Sequence, residues 1–249
     1  MEEKKARFDL SSSALHILAM AFMLLDHMWA TVIIGQQWMT VVGRLAFPIF
    51  AFLLVEGFYH THDIRKYLKR MLIFALVSEI PFDLMAEGGV FVPFHQNVMW
   101  TFLIALLGMW GLEKVRKKEN VWEKLLLSAL IVMGTVLLGT VTFVDYFGFG
   151  VMMVYVFYFF RERKWWNFLL QFLLLLYINQ ELIGGRCFPI TVGSFSFELA
   201  EQTFAVLALI PIWLYKGRQG IRSKVFRWFC YAFYPAHCLI LALIALYVL

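Results

Sequence analysis

The chain reads as an all-α, polytopic helical bundle built into a membrane, and three observations carry that reading. Of its 249 residues, 62% are hydrophobic and only 16% charged, against roughly 25% charge in ordinary soluble domains. The mean hydropathy is +0.74, and 26 Phe and nine Trp add lipid-compatible bulk. Lys and Arg gather in every second connection between apolar runs, as membrane topology requires. The net charge of +5 therefore implies no nucleic-acid partner.

A span takes roughly 20 residues, and nine runs reach or approach that length: 13–34, 41–60, 67–85, 97–113, 124–142, 145–160, 165–180, 200–215 and 226–247. The first follows Lys4, Lys5 and Arg7 and contains LLDHMW. The second begins at Arg44 and ends in FLLVEGFYHTHD, with Glu56 in its inner half. The third follows Arg65, Lys66, Lys69 and Arg70 and runs through VSEIPFD, with Glu79 and Asp83. The fourth is entered through FHQNVMWT, with His95, Gln96, Asn97 and Thr101. Lys114, Arg116, Lys117, Lys118 and Lys124 lead to the fifth. The sixth opens on Asp145 and Tyr146 and, like the seventh, is short. Arg161, Arg163 and Lys164 join these two, and the seventh closes on Asn179, Gln180 and Glu181. The eighth starts near Glu198, Glu201 and Gln202. The ninth follows Lys216, Arg218, Arg222, Lys224 and Arg227 and carries FYPAHC, with Tyr234 and His237.

All but two of the 22 Lys and Arg thus fall in alternate connections. The positive-inside rule places the N-terminus in the cytoplasm and the C-terminus outside. The exceptions, Arg44 and Arg186, lie on the outer side. No linker or repeat divides the chain, so residues 1–249 form a single integral membrane domain. MEEKKAR begins with charge, but no small-residue cleavage site follows, so the first run is expected to stay as an anchor. Cys187, Cys230 and Cys238 make neither a disulfide framework nor a metal motif, and Cys230 and Cys238 read as small buried thiols.

Charge inside a membrane is costly and marks function. Asp26 and His27 lie roughly 20 Å along the first span, in its outer half. Adjacent helical side chains diverge by about 100°, so Asp26 does not orient His27 and the two need different partners. The remaining polar groups gather at similar depth, which implies an outward-facing cavity. Plainer roles exist for several of them. Glu79 precedes Pro81 and can serve backbone groups that the proline frees. Gln96 and Asn97 suit helix caps. His16, His60 and His62 sit at the cytoplasmic interface. His27 has no such role. There is no HExxH, nucleophile elbow or phosphate loop, so no metal is expected. A deep imidazole can deprotonate an attacking amine or hydroxyl and then protonate a leaving thiol, which is what acyl transfer requires.

LLDH, GRLAFPIFAFLLVEGFYHTHDIRKYLKRM, FALVSEIPFDL, HQNVMWTF and FYAFYPAHCLIL, in this order over nearly the whole chain, resemble the TraX family of conjugal-transfer pilin acetylase-like proteins. That family is similar to a broader group of transmembrane acyltransferases. The resemblance implies that acetyl-CoA serves as cytosolic donor and that His27 acts as general base or acyl carrier. Asp26, Arg44, Glu79, Asp83, Gln96, Asn97 and His237 match motif positions. Catalytic roles are expected for His27, Asp26, Arg44, Asn97 and His237. Substrate contacts are expected from Glu79, Asp83, His95, Gln96 and Tyr234, and CoA phosphate contacts from Arg65, Lys66, Lys69 and Arg70. The expected partners are the bilayer, acyl-CoA, an acceptor and a second copy in a homodimer. The acceptor is a pilin-like N-terminus, a surface glycan or a small metabolite. The expected location is the bacterial cytoplasmic membrane. The rival reading is a proton-coupled transporter using the same His, Asp and Glu residues.

Overall fold

The computed structural model describes residues 9–193 and 195–248; Lys4, Lys5 and Arg7 lie outside them. Ten helices follow in order: α1 (Ser12–Thr31), α2 (Gln37–Gly43), α3 (Ala46–His60), α4 (Ile64–Glu87), α5 (Val98–Val115), α6 (Val121–Val141), α7 (Phe147–Phe159), α8 (Trp165–Tyr177), α9 (Leu209–Leu214) and α10 (Lys224–Tyr247). Among the described residues, five helical stretches are long and apolar enough to cross a membrane: Ser12–Thr31, Gln37–His60, Val98–Val115, Val121–Val141 and Lys224–Tyr247.

Local chemistry fixes where the helices begin. The side chains of Ser11, Asp63, Asn97, Asn120 and Ser223 each accept a hydrogen bond from a backbone N–H of the following first turn, at 2.9–3.2 Å, which satisfies donors that a helix leaves unpaired. The second apolar run is broken at Arg44 and Leu45. Pro48 has no N–H to offer the Arg44 carbonyl and its ring crowds that position, so the helix restarts as α3.

α3, α5 and α7 form the centre, through pairs such as Phe47–Phe102 (ring centroids 5.4 Å apart) and Phe52–Phe157 (5.8 Å). α4 packs on α10, where Phe74 stacks on Tyr231 at 4.8 Å. α1 lies against α2, α3 and α10. At its crossing with α2, a Cβ added to Gly43 would overlap Asp26, so the glycine sets the approach of the two backbones. α6 buries only Gly139 and exposes Leu125, Leu126, Leu130, Met133 and Leu137, the composition of a lipid-facing surface.

The all-α expectation needs one correction. β1 (Cys187–Val192) and β2 (Phe195–Ala200) pair antiparallel with Cys187 opposite Ala200, turning through Gly193 at a φ of 65°. The stretch is rich in β-branched and aromatic residues and too short to span a membrane as a helix. The seventh run ends in a π-helical turn, Ile178–Ile183, and the eighth opens as a 3₁₀ helix, Glu201–Ala208.

Candidate active site

α1 and α10 bring two histidines together across 210 positions of sequence. His27 Nδ1 lies 2.7 Å from His237 Nε2, and the rings are nearly parallel, with centroids 4.8 Å apart. The direction of this bond follows from its neighbour. His237 Nδ1 lies 2.7 Å from the Phe233 carbonyl oxygen, which can only accept. His237 therefore carries its proton on Nδ1 and presents a lone pair at Nε2. The donor to that lone pair is His27 Nδ1–H, which leaves His27 Nε2 as a basic nitrogen with no hydrogen bond among the described residues. The Tyr234 ring stands edge-on to both imidazoles, at 6.3 and 5.7 Å. Cys238 Sγ lies 3.9 Å from His27 Nδ1 and 3.8 Å from His237 Nε2.

Asp26 faces another way. Its Oδ2 lies 3.7 Å from Arg44, whose other terminal nitrogen lies 3.4 Å from Glu201. Thr40 donates to the same Glu201 oxygen at 3.3 Å. The charges Asp26, Arg44 and Glu201 thus join α1, the α2–α3 break and the 3₁₀ segment. Among the described residues, Asp26 Oδ1 and Arg44 Nε are buried without a hydrogen-bond partner.

Two cavities flank this centre. The larger, about 650 Å³, runs from the starts of α1, α4 and α10 to Tyr234. Arg70, Arg222, Arg227, His16 and His60 line it near those helix starts, and Met23, Leu54, Val98 and Phe102 line it deeper in the bundle. Arg70 Nε is buried and unpartnered. The smaller, about 400 Å³, is lined by Arg44, Asp145, Tyr146, Arg186, Glu201 and Gln202, at the end of the bundle that carries the β-hairpin.

The TraX protein family matches residues 11–245. The chain belongs to the TraX family. Its similarity to a protein described as "Probable fimbrial assembly protein FimC, serogroup H1" from Dichelobacter nodosus is 33% identity over 112 residues, covering 41% of this chain and 46% of that protein. The match thus spans about half of the relative's length. No solved structure matches.

The structure divides the TraX-motif residues into separate groups. His27, His237 and Tyr234 meet, with Asp26 and Arg44 beside them. Asn97 is fully buried and caps α5; its amide donates to the Ala75 carbonyl at 2.9 Å and to Glu79. Trp100 Nε1 also donates to Glu79, at 2.8 Å, so these residues staple α4 to α5. Asp83 accepts from the Val92 amide at 2.9 Å and holds the loop between those helices. His95 pairs with Glu87 at 3.0 Å on the surface. Gln96 donates to the Pro93 carbonyl at 3.1 Å, and its backbone pairs with Phe143 and Asp145. Among the described residues, no hydrogen bond or ion pair joins Glu79, Asp83, His95, Gln96 or Asn97 to the histidine pair. Of the four cations expected at a CoA site, only Arg70 lines the large cavity; Arg65, Lys66 and Lys69 are exposed. Arg222 and Arg227 line the same cavity. In sequence they are two of many loop cations, with nothing local to single them out. In sequence Cys238 is a small buried thiol, and only the fold places it against the imidazoles.

Proposed function

We propose that this TraX protein is a multi-pass acetyltransferase of the bacterial cytoplasmic membrane. It would move an acetyl group from cytosolic acetyl-CoA to an amine or hydroxyl acceptor on the far side. In this reading the nine apolar runs all cross, and the N-terminus is cytoplasmic. The large cavity then opens inward and receives the donor, and the small one opens outward toward the acceptor. Family membership and the fimbrial-assembly relative favour a pilin-type acceptor; a surface glycan or small metabolite fits the same chemistry.

The observation that carries the reading is the 2.7 Å contact between His27 Nδ1 and His237 Nε2, with His237 Nδ1 held by the Phe233 carbonyl, from which the tautomer of His27 follows. Its Nε2 lone pair is free, while its Nδ1–H is held by His237. The acceptor nitrogen or oxygen attacks the thioester carbonyl carbon as His27 Nε2 takes its proton. The new C–N or C–O bond forms, the C–S bond breaks, and the proton passes from Nε2 to the departing thiolate. During this cycle His27 is transiently an imidazolium, and its Nδ1–H bond to His237 becomes charge-assisted and stronger. The same lone pair would carry the acetyl group in a two-step relay. Arg70, Arg222 and Arg227 suit the phosphates of CoA, and the unpartnered Arg70 Nε is a donor without a protein acceptor. Asn97 has its amide committed to Ala75 and Glu79, which leaves Arg44 or His237 to steady developing charge.

The test is acetyl-CoA binding and CoA release by purified wild type and His27→Ala. Saturable binding by both, with CoA release only by wild type, is expected. Full turnover by a well-folded His27→Ala protein would refute the mechanism. Trapping labelled acetyl on the protein without acceptor would separate the relay from direct transfer.

A further inference from the structure

We propose that His27, His237 and Cys238 form a binding site for a thiophilic divalent cation, with Zn²⁺ as the representative ion, and that occupation switches the imidazole pair off. The site itself needs nothing from the acyltransfer reading; the switching does rest on it.

The three donor atoms come from two helices and lie within 4.8 Å of one another. A tetrahedral Zn²⁺ with bonds of about 2.0–2.1 Å to nitrogen and about 2.3 Å to sulfur sets donor separations of about 3.3 Å (N to N) and about 3.6 Å (N to S). The observed separations are 2.7, 3.8 and 3.9 Å, within about 0.6 Å of that set, and the two rings, which face one another across the hydrogen bond, would also turn to converge on the ion. Two imidazoles and a thiolate are a borderline-soft set, which suits Zn²⁺ and Cd²⁺ and excludes Mg²⁺ and Ca²⁺. For His237 the outer shell is also in place. His237 donates Nδ1–H to the Phe233 carbonyl, the contact that fixes the tautomer and ring orientation of a metal-ligating histidine. Three protein ligands leave a fourth position open.

Metal binding releases one proton. The Cys238 thiol loses its proton to solvent as sulfur binds. His237 keeps Nδ1–H and binds through Nε2. His27 must free Nδ1, so its proton moves to Nε2. One cation enters and one proton leaves. The tautomer of His27 that binds metal is therefore the one with no lone pair at Nε2, and metal and acceptor proton compete for the same imidazole.

Purified full-length protein in detergent, titrated with Cd²⁺, should develop one equivalent of thiolate-to-cadmium charge-transfer absorbance. C187S/C230S, which keeps Cys238 alone, should retain the band. C238S should lose it and bind Zn²⁺ ~10-fold or more weakly, on the scale by which damaged metal sites lose affinity. Mg²⁺ should not compete. A band that is absent from folded C187S/C230S, or that persists in C238S, overturns the site. In a parallel arm, Zn²⁺ should abolish CoA release and EDTA restore it. Zn²⁺ bound through Cys238 with CoA release unchanged overturns the switch alone. A protein that never turns over acetyl-CoA counts against the acyltransferase reading, and the cadmium band still decides the site.

Discussion

Replacing His237 tests the imidazole pair most directly. The 2.7 Å bond from His27 Nδ1–H to His237 Nε2 links two neutral rings at rest and becomes charge-assisted when His27 takes up a proton. A neutral hydrogen bond contributes about 0.5–1.5 kcal/mol and one to a charged group about 1.5–3 kcal/mol. The difference, about 1–2 kcal/mol, is realised only as the proton transfers, and corresponds to roughly a 5- to 30-fold loss in rate. His237→Ala should lower kcat by that factor. KM for acetyl-CoA should stay unchanged, because His237 does not line the large cavity. His237→Gln can offer an amide oxygen near the position of Nε2 and should recover most of the rate. The assay is CoA release at varied acetyl-CoA concentration. Equal loss in the Ala and Gln variants, or a change confined to KM, would refute the argument.

Three further outcomes follow from the geometry. Arg44→Ala leaves the carboxylates of Asp26 and Glu201 without their cation and should lower stability, read as a fall in Tm in detergent. Arg70→Ala and Arg227→Ala should raise KM for acetyl-CoA while leaving kcat near wild type, whereas Arg65→Ala, Lys66→Ala and Lys69→Ala should change neither. The Asp63 carboxylate is held below its ordinary range by the Lys66 amide. Its contribution is present above the unfolded carboxylate range and lost as pH falls through the lower folded value. The Tm gap between wild type and Asp63→Ala should close on acidification.

Much of the fold is legible locally. The apolar runs predict the helices to within a few residues, because a membrane span needs an uninterrupted apolar length that composition alone reveals. Ser11, Asp63, Asn97, Asn120 and Ser223 sit where caps belong. The β-hairpin was the chief omission: its alternation is short, and it lies beside runs whose hydropathy dominates any window. The break at Arg44 was missed too, although Pro48 is its local cause. Glu79, Asp83, His95 and Gln96 stood out in sequence as polar groups at membrane depth. Their partners are loop amides, carbonyls, Trp100 and Glu87, which no spacing rule reveals.

The sequence by itself determined that this chain is a membrane-compatible helical bundle and that His27 occupies a costly position with no plain excuse. Both are consequences of burying charge in an apolar run, and a single stretch of residues displays them. Only the tertiary structure decided that His27 meets His237 and Cys238, that Asp26 turns away to Arg44, and that Arg222 and Arg227 share a cavity with Arg70. These pairings join helices far apart in the chain. Their geometry is set by helix crossings such as the one Gly43 permits against Asp26, and a one-dimensional pattern carries no record of which helices cross.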